Sequence, residues 1–265
     1  MRKINLFWPA LLLCSTVAMG QTETMETSSD FATRTSVGVD WKITKGLHLD
    51  AAYELRTVDK LARIERHQLD VGIQYSPVKH FDIGAGYVFI GHYDSEKVYK
   101  PRHRAYVDLT GSYKFGDWKL SLRERLQLTH KAYDVNPYQQ TPNLLELKSR
   151  LKLAYKGFDA LEPYVYAEVR HCLNGPSFTA DYDEVSERYI NYQSTGYSDA
   201  YLNRSRGAVG LKWAITDKHA VDFRLLADRY REKVIDTNAE GTKLKSYSWE
   251  QTWVTSLAVS YLYSF

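Results

Sequence analysis

Apolar and polar residues alternate one by one along most of this chain. The clearest run is residues 253–265. Trp253, Leu257, Val259, Tyr261, Tyr263 and Phe265 fall on one face, and Thr252, Ser256, Ala258, Ser260 and Ser264 on the other. A period of two is the repeat of a β-strand with one apolar side and one small or polar side. The apolar side ends in Tyr261, Tyr263 and Phe265, the pattern of a strand that leaves hydrocarbon for lipid headgroups. These three residues read as a terminal signal for the barrel-assembly machinery.

Ten more alternating runs precede it, at about 31–43, 47–56, 67–75, 81–92, 103–115, 118–131, 144–156, 163–173, 201–215 and 219–234. The connections alternate between short, as at Thr44 to Gly46 and Gly116-Asp117, and long, around 57–66, 93–102, 132–143, 174–200 and 235–247. Short turns at one end and long loops at the other are the habit of outer-membrane barrels. Trp41, Tyr75, Phe81, Phe115, Trp118, Tyr155, Tyr164, Trp213 and Phe265 all lie beside the short turns, which predicts one aromatic ring at the periplasmic interface. The expected fold is all-β, a single antiparallel up-and-down transmembrane barrel. Eleven strands are legible, but bacterial single-chain barrels have even strand numbers. Twelve are therefore expected, with Thr22 to Asp30 as a weak extra strand; otherwise that segment threads the lumen.

Composition fits this reading. A mean hydropathy of −0.45 looks soluble, but a barrel presents only alternate residues to lipid. There are 21 tyrosines and 6 tryptophans against 7 prolines, which suits long strands with aromatic ends. No stretch of about twenty apolar residues predicts a membrane helix. Arg2 and Lys3, the apolar run Ile4 to Ala18 and the small-x-small site Ala18-Met19-Gly20 predict a cleaved signal peptide over 1–20, leaving a barrel over 21–265. Cys14 would serve a lipoprotein site, but Leu13 is bulky for one. Cleavage leaves Cys172 alone, so no internal disulfide is expected. The net charge of +3 gives no argument for a nucleic-acid partner.

The face opposite the apolar one is charged. It carries Asp40, Lys42, Asp50, Glu54, Arg56, Asp70, Asp82, Asp108 and Lys114 in the first half of the chain. In the second half it carries Arg123, Arg125, Glu146, Lys148, Arg150, Lys152, Glu168, Arg170, Arg204, Arg206, Lys212, Asp222, Arg224 and Asp228. An acidic half wall and a basic half wall should pair across a narrow lumen. Arg150, Glu168 and Arg204 fall on consecutive strands, and a carboxylate between two guanidiniums is a charge-assisted arrangement. With Arg123, Arg125, Arg170 and Arg206 they form the predicted lumen ion-pair cluster. Glu124 departs from the pattern, because it falls on the apolar face between Leu122 and Leu126.

Candidate chemistry is thin. His92 lies near Asp94 and Ser95, and His103, His130 and His171 approach other long loops, but none sits in a hydrolase motif. His48, His67, His80 and His219 lack metal-ligand spacing, and His171-Cys172 on one strand point to opposite faces. No catalytic residue, metal site or cofactor is expected.

Several short stretches resemble a bacterial outer-membrane family known as domain of unknown function 2490. They are Ser36-Val37-Gly38-Val39-Asp40-Trp41, Tyr53-Glu54-Leu55-Arg56, Gly84-Ala85-Gly86-Tyr87 and Arg150-Leu151-Lys152-Leu153. Pro163-Tyr164 followed by Glu168, and Asn203-Arg204 leading to Gly210-Leu211, complete them. The resemblance implies an outer-membrane barrel and supplies neither substrate nor catalytic residue. The function expected is a non-enzymatic outer-membrane barrel with an ion-pair-filled lumen, a scaffold or a narrow passage for small solutes, anions among them. Its partners would be outer-membrane lipid and the assembly machinery. Two alternatives are a hydrolase acting on lipid or peptide at the outer rim, and a soluble secreted barrel that encloses a hydrophobic ligand with its apolar face turned inward.

Overall fold

Alternation propagates without a helix through residues 25–265, the part of the chain that the computed structural model describes. The predicted signal peptide, Cys14 and residues 21–24 lie outside the described residues. The strands are β1 (Met25–Thr44), β2 (Leu47–Val58), β3 (Arg63–Val78), β4 (Phe81–Tyr93), β5 (Tyr99–Phe115) and β6 (Trp118–Lys131). They continue as β7 (Asn143–Tyr155), β8 (Leu161–Asp183), β9 (Arg188–Ala214), β10 (His219–Thr237) and β11 (Leu244–Ser264). Each pairs with the next, and β1 pairs with β11 to close the barrel.

The described barrel has eleven strands, not twelve. Met25 to Asp30 is neither a separate strand nor a lumen thread; it continues β1 toward the long-loop end. An odd count makes the first and last strands run the same way. The closing pair is therefore parallel, from Met25↔Trp249 to Asp40↔Ser264, while the other neighbours are antiparallel. The fully antiparallel expectation fails at this one seam. The backbone N–H of Phe265 donates to the Asp40 carbonyl at 2.9 Å and locks its end.

At the short-turn end, two-residue turns join β1 to β2 and β3 to β4. Gly46 has φ 78°, and a Cβ there would meet the Ser76 carbonyl oxygen at 2.9 Å, so that turn requires glycine. At the other end the predicted long loops are largely strand, except 132–142, which stays a loop. β8 and β9 run far past the 163–173 and 201–215 limits and pair, through several bulges, to Asp183↔Arg188.

The faces sort by parity. Leu257 is 46% exposed and Leu151 49%, while Ala258 and Ser256 are fully buried. The apolar residues thus cover the outside and the charged residues line the inside. A soluble barrel holding a hydrophobic ligand needs the reverse, so that alternative is ruled out. Tyr164 departs from the predicted aromatic ring. It has the inward parity of β8, is buried, and gives its hydroxyl to Asp222. Glu124 does lie on the outer face; Ser149, directly opposite on β7, donates to its Oε2 at 2.5 Å. That local partner explains a carboxylate in an apolar row.

Candidate functional site

The lumen is the candidate site, and its middle is filled by two rows of charge. In the first row Arg123, Arg150, Glu168, Arg206 and Asp228 stand directly opposite one another on β6 to β10. Glu168 is the hub. Arg150 donates to it from Nε at 2.8 Å, Arg204 donates to its other oxygen, and Arg123 and Arg206 approach within 3.7 and 3.9 Å. Four guanidiniums around one buried carboxylate make a tight charge-assisted cluster. Arg34 also reaches Asp228, at 2.8 Å. Arg34 was not singled out in the sequence, although its even number on β1 gives it lumen parity.

Arg125 and Arg170, also predicted for the cluster, point to other acids. Arg125 holds Asp108 through two hydrogen bonds of 2.6 and 2.5 Å. Arg170 meets Glu146 at 3.0 Å and Asn203 at 2.8 Å. Glu146 also accepts from Gln127 and from Asn203.

Two tyrosines brace the wall in the same way. Tyr106 on β5 lies over Gly86 of β4, where a Cβ would come within 2.4 Å of its ring. Its hydroxyl donates to Asp70 on β3 at 3.1 Å, and Arg125 on β6 stacks 3.6 Å from its ring centre. Tyr164 on β8 lies over Gly210 of β9, donates to Asp222 on β10 at 2.7 Å, and carries Lys152 of β7 on its ring at 3.7 Å. A glycine inside a strand marks such a close approach, so Gly86 and Gly210 were the available signals.

At the long-loop mouth the β6–β7 loop and two of the hairpins meet. The tip of β10–β11 reaches the β6–β7 loop, past the two strands between them. Gln139 donates to Asp236 at 3.1 Å and to the Thr237 carbonyl at 3.2 Å, and Asn136 donates to Thr237 Oγ1. The β8–β9 hairpin folds against the same tip: Lys233 meets Asp199 at 2.7 Å, Phe178 packs on Tyr247 and Tyr201 on Trp249. Beside the β1–β11 seam this leaves a cavity of about 230 Å³, lined by Arg34, Arg56, Glu65, Arg66, Tyr230 and Glu232 among others.

Outside, aromatics gather at two levels. Trp118 meets Tyr155 at 5.0 Å near the short turns, where Tyr263 meets Phe265 at 4.6 Å and Tyr261 bonds His219. Tyr53, His67, Tyr93, Tyr99, Tyr87 and His103 form a second belt toward the long loops. That upper belt was missed because His67 and His103, which link its tyrosines, do not read as aromatic anchors. His103 and His130 thus serve in a surface belt, with His103 bonded to Tyr87 and His130 to Asn143. Asp94 turns into its own loop, accepting from the Glu96 and Val98 N–H groups and pairing with Lys100 at 2.7 Å. Lys100, then the Val98 N–H, hold its carboxyl below the ordinary range. Asp94 is therefore occupied away from His92. Among the described residues no group of three or more His, Cys, Asp or Glu side chains could hold a metal ion.

The sequence model of the family described as "Protein of unknown function (DUF2490)" matches residues 31–232, so the chain belongs to that family. No curated protein matches it in sequence. Among solved structures it is similar to the anion-selective porin from Comamonas acidovorans, at 10% identity and a TM-score of 0.34, over 82% of this chain and 53% of that one. It is also similar to outer-membrane expressed OmpT of Vibrio cholerae, at 8% identity and a TM-score of 0.35, over 77% of this chain and 60% of that one. The chain thus spans somewhat over half the length of these structures.

Proposed function

We propose that the protein is an integral β-barrel of the bacterial outer membrane with an occluded, ion-pair-filled lumen and no enzymatic role. The observation that carries this is an apolar outer band held between two aromatic belts. On β11, the outward-facing Trp253, toward the long loops, and Tyr263 of the lower belt are ten residues apart. A rise of about 3.4 Å per residue and a tilt of about 40° put them roughly 25 Å apart along the barrel axis, the height of the lipid-facing band of such barrels. The charged residues sit inside, where lipid does not reach them.

On this reading the short turns face the periplasm and the β8–β9 hairpin faces outward. The outward-facing Tyr261, Tyr263 and Phe265 engage the assembly machinery. The Glu168 and Asp228 clusters block the middle of the lumen and the β10–β11 tip meets the β6–β7 loop at its mouth, so the barrel is a scaffold that displays its hairpins. A second reading, a narrow path for small anions, is favoured by the middle of the lumen wall on β6 to β9, where Arg123, Arg125, Arg150, Arg170, Arg204 and Arg206 outnumber Glu146 and Glu168. Fractionation with planar-bilayer recording tests both. Recovery from outer membranes with detergent and no resolvable current fits the scaffold. Anion-selective steps fit the path, and recovery from the soluble periplasm refutes membrane insertion.

A further inference from the structure

Arg34, Arg56 and Arg66 stand directly opposite one another on β1 to β3, all with lumen parity. Like charges placed directly opposite destabilise a sheet unless compensated. Each of the three has one acid: Arg34 reaches Asp228 at 2.8 Å, Arg56 holds Glu54 and Arg66 holds Glu65. Those contacts use few of their donors. Arg56 engages Glu54 through Nε, which leaves its two Nη groups without a hydrogen bond among the described residues. Arg66 gives Nη2 to Glu65, and its buried Nε has no partner. A buried polar atom left unsatisfied in a native fold calls for an explanation.

The three guanidiniums line the cavity of about 230 Å³ beside the β1–β11 seam. Its other side is acidic. Glu232 and Glu250 stand directly opposite each other on β10 and β11 and line the same cavity. Both are exposed, and among the described residues neither has a hydrogen bond or an ion pair. Facing carboxylates repel each other unless a cationic group enters between them. With Glu65, already engaged by Arg66, the lining balances three arginines against three glutamates. A bare anion would be repelled by Glu232 and Glu250, and a bare cation by the arginines. A neutral molecule with one charge of each sign satisfies both sides. The cavity is smaller than the roughly 300–1,000 Å³ of pockets for drug-sized ligands, so that molecule is small.

We propose that this cavity binds a small zwitterion of the amino-acid class, with a carboxylate at one end and an ammonium at the other. The carboxylate accepts from the free Nη fork of Arg56 and from Arg66, a charge-assisted arrangement that a planar guanidinium suits. The ammonium carries three donors and no acceptor, and it lies between Glu232 and Glu250. The site belongs to the lumen whatever surrounds the barrel, so its failure leaves the membrane reading standing, and the reverse.

The test is calorimetric titration of γ-aminobutyrate, butyrate and butylamine into the full-length protein in detergent at low ionic strength. The three probes share a carbon skeleton and differ in charge. Wild type should bind γ-aminobutyrate saturably, and butyrate and butylamine at least tenfold more weakly. Arg56→Gln and, separately, Glu232→Gln should each weaken γ-aminobutyrate binding at least tenfold, while Lys97→Met in the exposed β4–β5 turn leaves it unchanged. Arg56→Gln strands Glu54 and can cost folding. Glu232 is exposed and unpaired, so Glu232→Gln should fold as wild type does and carries the test by itself. No saturable binding of γ-aminobutyrate by wild type overturns the proposal. So does equal binding of butyrate or butylamine, or equal binding of γ-aminobutyrate by Glu232→Gln.

Discussion

Arg206 and Asp228 stand directly opposite each other on β9 and β10 and are joined by two hydrogen bonds, Nε to Oδ1 at 2.6 Å and Nη2 to Oδ2 at 3.0 Å. Asp228 is completely buried and also receives Arg34. The pair ties β10 to β9 and, past β11, to β1, so it braces the barrel across its parallel seam.

Removing either hub carboxylate should therefore be costly. Breaking a buried ion pair by deleting one partner typically costs about 3–5 kcal/mol, since it strands the opposite charge. Asp228→Ala and Glu168→Ala should each lower the unfolding free energy by about that much in detergent. Glu187→Ala, in the exposed β8–β9 turn, should change it by less than about 0.5 kcal/mol. Equal thermal shifts for Glu168→Ala and Glu187→Ala would show that the lumen cluster is not structural.

The tyrosine braces predict a glycine requirement. In Gly86→Ala the new methyl would occupy the place of the Tyr106 ring, forcing it off Asp70 and away from Arg125. Overpacking of this kind costs about 1–3 kcal/mol. Gly111→Ala, where a Cβ meets nothing within 4 Å, should be close to neutral. Thermal unfolding of the two variants side by side decides it.

Sidedness is accessible to a thiol reagent on intact cells. Cys172 is fully buried and gives a low background. Glu184→Cys at the β8–β9 tip should label rapidly, and Lys45→Cys in the β1–β2 turn only after the outer membrane is opened. The opposite order would invert the proposed orientation.

Strand alternation on β11, the short turns and the inward charges were legible because an apolar outer face against a charged inner one imposes a strict period of two. Where that apolar face ends, both faces of a strand are polar. The period then disappears, which is why 174–200 reads as a surface loop, with extended hairpin character as the alternative, and the pairing of β8 with β9 bears out that alternative. The same loss hid Met25 to Asp30 inside β1, and a parity rule then suggested a twelfth strand. Glu124 read as an anomaly because its partner, Ser149, lies on a neighbouring strand and becomes visible only once the register is known. The contacts of Asn136 and Gln139 with the β10–β11 tip span about a hundred residues and leave no local trace.

The central claim is that the apolar outer face meets lipid, and Leu257 tests it most directly. The residue is 46% exposed midway along β11. The measurement is the folding free energy of Leu257→Arg against wild type in lipid vesicles. An arginine facing the bilayer midplane should cost about 2–4 kcal/mol. A variant within about 0.5 kcal/mol of wild type, the usual result for a half-exposed residue in water, would contradict the account.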